Sequence, residues 1–356
     1  MKKIREKYQR EIGMLILLIV LMVVTTLINP KFLSLANFSN VSKTIGVYGI
    51  LSIAVGTVII TSGIDLSIGS LLALLGTLFF YMLTGEPKWL PSSFPWGLAV
   101  FIVIVLGLAV GAIHGFFIGK VKMQAFVVTL CGLLSYRGLA RTLSNDSQVG
   151  YSAVSDDLAT LKVLGDGSLG QLLFGEQAAE SGFLSQLIYS IPMTFIYLII
   201  IAVVMGVVLH RSVFGRYLYA TGRNEEAARY SGINTKLVIC AAYVICGGLV
   251  AFASIPYALF TGSVTPSGHG SFVELYAIAG AVLGGCALKG GEGTIVGIVI
   301  GAVILVLLQN IVNMLGLPSS LTDFIIGGVL FVGVLLNQMG IAGIKRMIGL
   351  GSKKPA

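Results

Sequence analysis

The chain has 356 residues, of which 56% are hydrophobic and only 11% charged, with a mean hydropathy of +0.95. A soluble domain is about 25% charged, so this composition cannot build a hydrated surface, and the chain must be divided into membrane spans instead. The formal charge of +8 does not indicate nucleic acid, because the basic residues sit in short segments between apolar runs, where they set membrane orientation.

Lys2, Lys3, Arg5, Lys7 and Arg10 precede an apolar run over 12–28. That run exceeds the ~7–15 apolar residues of a signal peptide, and no A-x-A-like site follows it. It is expected to be the first span, closed by Asn29-Pro30, with 1–11 as a cytoplasmic tail. Further apolar runs cover 44–62, 66–83, 96–119, 124–143, 191–209, 237–260, 272–288, 294–315 and 321–340. Crossing ~30 Å of hydrocarbon takes ~20 apolar residues, so the expected fold is an all-α, polytopic transmembrane bundle of about ten spans forming one membrane domain. Eight or nine spans remain open if a Gly-rich segment is re-entrant. The 46 glycines suit such a bundle, since small residues let membrane helices approach closely.

Charge placement orients the spans. With the N-terminus in the cytoplasm, the inside collects the N-tail, Lys120, Lys122, Arg211, Arg216, Arg223, Arg229, Lys236, Lys289 and the basic tail within 341–356. The outside receives only Lys31, Lys43, Lys88 and Lys162, with Arg137 and Arg141 in or near the fifth run. This asymmetry places both termini inside.

Between the spans, 144–190 is long, polar and weakly acidic, carrying Asp146, Asp156, Asp157, Asp166, Glu176 and Glu180. It falls outside, as either a solvated loop or a docking surface for an extracytoplasmic partner. Cys131, Cys240, Cys246 and Cys286 lie in apolar runs without metal-ligand spacing and read as small core residues. Lys122-Met-Gln-Ala-Phe126 introduces the fifth run and Leu317-Pro-Ser-Ser-Leu321 the tenth. Halves related in this way, five spans apart, would form an inverted repeat, as in many transporters.

The segment 210–236 is cytoplasmic on this topology. Asn224 can cap a short helix with Glu225 and Glu226 in its first turn, where the helix dipole favours negative charge. Ala227 and Ala228 favour helix, Arg229 follows, and Gly232 can end it at the C′ position. A short rigid helix between two spans can pass force from a soluble partner into the bundle; the alternative is a loop helix lying on the headgroups.

Here the residues carry a resemblance. Glu226-Ala227-Ala228, followed after three residues by Gly232, resembles the core of the EAA loop of ABC importer permeases, although no Leu-Pro follows Ile233. The wider stretch from Phe214 to Ile233 looks like the version in ribose/xylose/galactose-type permeases. Ser62-Gly-Ile-Asp-Leu-Ser-Ile-Gly-Ser70 is similar to that family's Gly-Gly-Ile-Asp-Leu-Ser-Val-Gly signature, and Tyr136-Arg-Gly-Leu-Ala140, Glu274-Leu-Tyr-Ala-Ile-Ala279 and Leu283-Gly-Gly-Cys-Ala-Leu-Lys-Gly-Gly-Glu-Gly-Thr294 match in order. The resemblance extends from about Phe32 to Gly340. It implies a multi-pass permease of the bacterial cytoplasmic membrane, dimeric with a second copy or a homologue. ABC ATPase subunits would grip the 224–232 loop from below, and a periplasmic or lipid-anchored solute-binding protein would deliver the solute from above. Sugars are the leading solute class, with nucleosides and branched-chain amino acids among the family's cousins. His114 departs from the family, whose members often carry Asn there, and 175–185 resembles an insertion.

Polar residues inside the runs are candidates for structure or translocation, because intramembrane ionisable groups are costly and face a bundle interior or a cavity. Asp65, in a break with Gly63 and Ser67, could cap the third run. Arg137 and Arg141 could snorkel outward or meet acidic residues of a binding protein, and Glu274 opens the eighth run. Gln309, Asn310 and Asn313 could bond a polyol-like solute or neighbouring helices. The sequence contains no G-x-x-x-x-G-K-[ST] phosphate loop, so ATP chemistry is expected in a partner. No cofactor is implied, and H-E-x-x-H and G-x-S-x-G are both absent. An ion-coupled secondary transporter is the other reading, but mid-span carboxylates are scarce for it.

Overall fold

The structure is a computed structural model that describes residues 19–20, 22–85, 94–150, 159–175 and 182–316, with 318, 321, 324–328 and 331 beyond them. About half of the first apolar run, most of the tenth and all of 341–356 therefore lie outside the described residues, as does the 317–321 half of the repeat motif in large part.

All eight remaining runs are helices. They are α1 (Leu35–Ile60), α2 (Ile68–Thr84), α3 (Trp96–Gly115) with a π turn over Phe116–Lys120, and α4 (Ala125–Ser144). Strand β1 (Val149–Gly150) and three short helices follow: α5 (Ala159–Asp166), α6 (Leu169–Phe174) and α7 (Phe183–Tyr189). Then come α8 (Met193–Arg211), α9 (Val213–Arg223), α10 (Glu225–Tyr230), α11 (Thr235–Thr261), strand β2 (Ser263–Val264), α12 (Val273–Leu283) and α13 (Ile295–Met314). Five of these are long and apolar enough to cross a membrane: α1, α3 with its π turn, α8, α11 and α13. The chain is a multi-pass, all-α membrane protein.

Two boundaries differ from the sequence expectation. Helix α1 begins at Leu35 rather than near 44, because the Ser34 hydroxyl accepts from Asn37 N and polar residues on the added turns find partners. Asn37 exchanges hydrogen bonds with Asn310, and Lys43 pairs with Asp166 at 2.7 Å. Helix α12 stops at Leu283 instead of 288. Gly285 turns left-handed (φ 102°), and Cys286 N donates back to Ala281 O, which closes the helix after only 11 residues.

At the centre α1 and α11 pack on each other. Helix α1 carries α12 and α13, while α11 carries α2 and α3. Elements five runs apart thus play matching parts about α1 and α11. Glycines permit the closest crossings: a β-carbon on Gly247 would overlap Gly107 O, and one on Gly284 would stand 2.7 Å from Ile298 Cα. Among membrane helices such contact replaces the hydrophobic drive that water supplies to soluble bundles.

The segment 144–190 is not a structureless loop. Leu161 is buried, the Tyr197 hydroxyl donates to Leu164 O at 2.7 Å, and Gly165 packs on Leu259. Ser168 and Gln171 form a capping box on α6. Strands β1 and β2 pair antiparallel, with Val149 opposite Val264. Asp156, Asp157, Glu176 and Glu180 lie outside the described residues. The reading of all four cysteines as core residues also needs correction. Cys246 and Cys286 are buried, but Cys240 is half-buried and Cys131 is exposed on α4; in a lipid-facing span, apolar surroundings do not imply burial in protein.

Replacing Gly247 with Leu should force α3 and α11 apart and cost ~1–3 kcal/mol. Gly138→Ala, where a β-carbon meets nothing within 4 Å, should be neutral. Thermal midpoints of the two variants in detergent, compared with the parent, test the contrast.

Candidate functional site

The bundle has one end rich in basic residues, where Lys122, Arg223, Lys236 and Lys289 gather, and an opposite end carrying Lys43, Arg141 and Lys162. Two features stand out: a break in the helical core between these ends, and a helical segment on the basic end.

The core break joins α1 to α2. The chain leaves helix at Ile60 and resumes at Ile68, and its backbone groups must be satisfied inside the protein because lipid offers no partner. Gly63 N donates to Val58 O, and Ile64 O accepts from the Tyr243 hydroxyl at 3.1 Å. Asp65, only 4% exposed, accepts from Ser67 N at 2.9 Å and from the Ser67 hydroxyl at 2.7 Å. Asp65 therefore does not cap α2 itself: it holds the turn ahead of the helix through Ser67, which occupies the N-cap position and makes no side-chain cap hydrogen bond. The other carboxylate oxygen faces His114 Nδ1 at 3.7 Å and the Cys246 thiol at 3.9 Å. His114 is itself buried, stacks on Tyr136 and shares a 2.9 Å hydrogen bond with that residue's hydroxyl through Nε2.

A second break, 262–272, leads into α12 from the opposite direction. Gly270 in this break and Glu274 in the first turn of α12 press against Gly69 in the first turn of α2; a β-carbon on Gly270 would stand 2.6 Å from Gly69 O. Two short helices thus meet N-terminus to N-terminus inside the bundle. Asp65 and Glu274 put a carboxylate beside each positive dipole end, the favourable sign. Arg137 does not reach outward, as snorkelling would require. Its Nη1 donates to Pro266 O at 2.9 Å and to His269 O at 2.6 Å, fixing the second break. Arg141 does lie exposed, and forks onto Asp146 at 3.0 and 2.7 Å. Asn310 is spent on α1 through Asn37, while Gln309 is half-buried and Asn313 exposed.

On the basic end, Ser212 caps α9 and Asn224 caps α10, its Oδ1 accepting from Ala227 N at 2.9 Å. Gly232 follows with φ 86°, as its place beyond the helix requires. The two glutamates diverge. Glu225 turns inward to Lys122 and to the Thr235 hydroxyl, the latter at 3.0 Å. Glu226 stands with 79% of its side chain exposed, beside Arg229 at 3.8 Å. Tyr230 is 81% exposed, with the Arg229 guanidinium over its ring. The short helix therefore presents Glu226, Arg229 and Tyr230 and uses Glu225 as an internal clamp; Ala228 is buried beneath it. Burial raises the Glu225 pKa, but the hydrogen bonds from Lys122 and Thr235 and the Lys122 charge outweigh it, so the carboxyl lies below its ordinary value.

Sequence reasoning missed Lys122 as the partner of Glu225, and Tyr243 as the donor that closes the first break. Thr129 Oγ1 also stands 3.4 Å from Ile64 O, so side chains of two distant runs close the break, and nothing in their local sequence marks that role. Nothing local marks the Lys122–Glu225 pair.

Half-helices meeting head to head in a reciprocal helix bundle, with a capped helical segment on the basic end, define a membrane transport component. The chain belongs to the family described as branched-chain amino acid transport system / permease component, which matches residues 37–334. It is 34% identical to the ribose import permease protein RbsC of Escherichia coli K12 over 326 residues, covering 91% of this chain and 92% of that protein. It is also 33% identical to the xylose transport system permease protein XylH of Haemophilus influenzae, covering 86% of this chain and 90% of that one. No solved structure matches it. The resemblance to ribose- and xylose-type permeases seen in the motifs holds over nearly the whole length.

Two outcomes are expected here. Asp65→Ala removes the buried acceptor of the Ser67 N–H and hydroxyl and the partner of His114 Nδ1, and an unsatisfied buried donor costs ~1–3 kcal/mol; His114→Asn keeps a donor and should lose much less, as read by thermal midpoint. For Glu225, the lowered pKa means its contribution is complete above the ordinary carboxylate pKa of ~4.3 and is lost as pH falls through its lower folded value. The half-exposed pair is worth ~0–1 kcal/mol. The midpoint difference between the parent and Glu225→Gln should therefore be constant from pH 7 to about 5 and close only below about pH 4.

Proposed function

We propose that the chain is the membrane-spanning permease subunit of a binding-protein-dependent ABC importer for a sugar or sugar-like solute. In this reading the basic end is cytoplasmic, the membrane is the bacterial inner membrane, and the whole chain forms one permease domain of about ten spans with both termini inside. A second permease copy or a homologue completes the path. ATP hydrolysis belongs to separate ATPase subunits, and a solute-binding protein docks on the opposite end, around 144–190.

The observation that carries this reading is the α9–α10 segment. Its cap, its left-handed Gly232 and its inward Glu225 hold Glu226, Arg229 and Tyr230 out from the basic end in one fixed arrangement. A rigid outward face with an arginine and an exposed tyrosine suits a protein partner, since such residues dominate interface energetics. The sugar assignment is supported by the similarity to permeases named for ribose and xylose across most of their length, which is more specific than the family description. Within the breaks, Asp65, Ser67 and His114 are assigned to holding the half-helix geometry. Gly63, Arg137 and Glu274 share that task, and Gln309 and Asn313 remain the polar groups on α13 open to a solute.

Glu226→Lys should reduce ATPase recovered with the purified permease by on the order of tenfold or more, as for loss of a contact worth at least ~1.4 kcal/mol. Unchanged ATPase recovery and uptake would remove the coupling assignment. For the solute, a thermal-shift screen of the partner binding protein should show stabilisation by a pentose or hexose. A shift with a nucleoside or a branched-chain amino acid in its place would overturn the sugar assignment.

A further inference from the structure

At the cytoplasmic end three chain segments tie into one knot. The Ser62 hydroxyl lies 2.8 Å from both Gly222 O and Lys289 O, so its single proton is shared between the end of α9 and the α12–α13 turn. Gly291 N donates to Ile60 O at 2.8 Å. Gly222 can have no side chain, because a β-carbon there would overlap Ile60 O and stand 2.7 Å from Gly291 N. The Tyr219 hydroxyl donates to Gly293 O at 2.8 Å, adding a second tie from α9 to the same turn.

Ser62 itself holds φ 65°, a conformation that glycine adopts freely and a residue with a β-carbon does not. The residue is exposed, so no packing demand explains a side chain here. Its two carbonyl contacts do. Gly222 lies two residues before the Asn224 cap of α10, and Ser62 lies three residues before Asp65. Every residue between is held: Gly63 by Val58 O, Ile64 by Tyr243, and Asp65 by Ser67 and His114.

We infer that Ser62 is the positioning residue through which displacement of the α10 segment reaches the α1–α2 break, and thereby the first turn of α2. The route bypasses the spans that flank α10 in sequence. It runs from Gly222 through the Ser62 hydroxyl along the 62–67 backbone to the Asp65–Ser67 turn, and from Gly69 on to α12. This rests on the reading of α10 as the ATPase contact.

The test uses the full permease–ATPase complex in proteoliposomes. Cys131 and Cys240 are changed to Ala, and an environment-sensitive bimane label is placed on Leu66→Cys, in the break. The parent should show a shift in emission between the nucleotide-free and vanadate-trapped states. Ser62→Gly relieves the left-handed strain while deleting the hydroxyl, so the complex should assemble with an unchanged thermal midpoint and ATPase recovery, yet its shift should shrink by roughly fivefold or more, the low end of ordinary coupling factors. Ser62→Ala should behave alike in emission despite its different backbone cost. A shift of full size in both variants, or no shift in the parent, overturns the inference. Failure of the parent permease to bring down any ATPase would instead sink the reading of α10, and is read in the same purification.

Discussion

The structure depends on how a non-helical backbone is satisfied inside an apolar bundle. Between Ile60 and Ile68 the chain abandons the hydrogen bonds that make a helix tolerable in lipid. Asp65 makes this workable by accepting from the backbone and side chain of Ser67. A carboxylate is an expensive group at such a depth. It is retained because one oxygen serves the turn while the other meets His114 and Cys246 on two further helices. The same residue thus holds the turn that leads into α2 and joins it to α3 and α11.

The head-to-head meeting of α2 and α12 follows from that arrangement. Both helices are short because each begins well inside the bundle, and the contact between Gly69 and Gly270 leaves no room for a β-carbon on either. Two positive dipole ends brought together would repel, and Asp65 and Glu274 supply the opposing charge. The scaffold is reciprocal, with α1 and α11 as its axis, but the two breaks are not equivalent. The first is tied to the basic end through Ser62; the second is tied by Arg137 to α4 and through β2 to β1 at the opposite end.

Much of this was legible in the sequence where the determinants are local. The cap at Asn224 and the left-handed Gly232 are each written within a few residues and take the form that capping chemistry expects, whereas Asp65 holds the turn before α2 rather than capping the helix. Positions of the eight helices that fill the described apolar runs also followed from those runs, apart from the start of α1 and the end of α12. What could not be read is non-local. Lys122 meets Glu225 across 103 residues and Ser62 meets Lys289 across 227, and no periodicity survives in runs where nearly every position is apolar. The early start of α1 was hidden because Asn37 and Lys43 look like loop residues until Asn310 and Asp166 are brought to them. Arg137 was misjudged for a related reason. A cation near a span end usually seeks water, but here two carbonyls of the second break offer it closer partners.

The asymmetry between the two breaks bears on how a nearly symmetric bundle can move a solute one way. If both breaks were tied to the same end, a displacement there would shift both half-helices together and leave their contact unchanged. Because each is anchored at a different end, the proposed route has a displacement of the α9–α10 segment move α2 against an α12 entry that Arg137 holds in place. The strain then falls on the Gly69–Gly270–Glu274 contact, where close backbone packing makes the helices stiff. A contact of this kind gives way by switching between discrete arrangements rather than by gradual deformation. Two half-helices with separate anchors are therefore better suited to alternating states than two continuous spans would be, and on the proposed route the break that carries Asp65 is the part of the permease that a partner at the basic end would address.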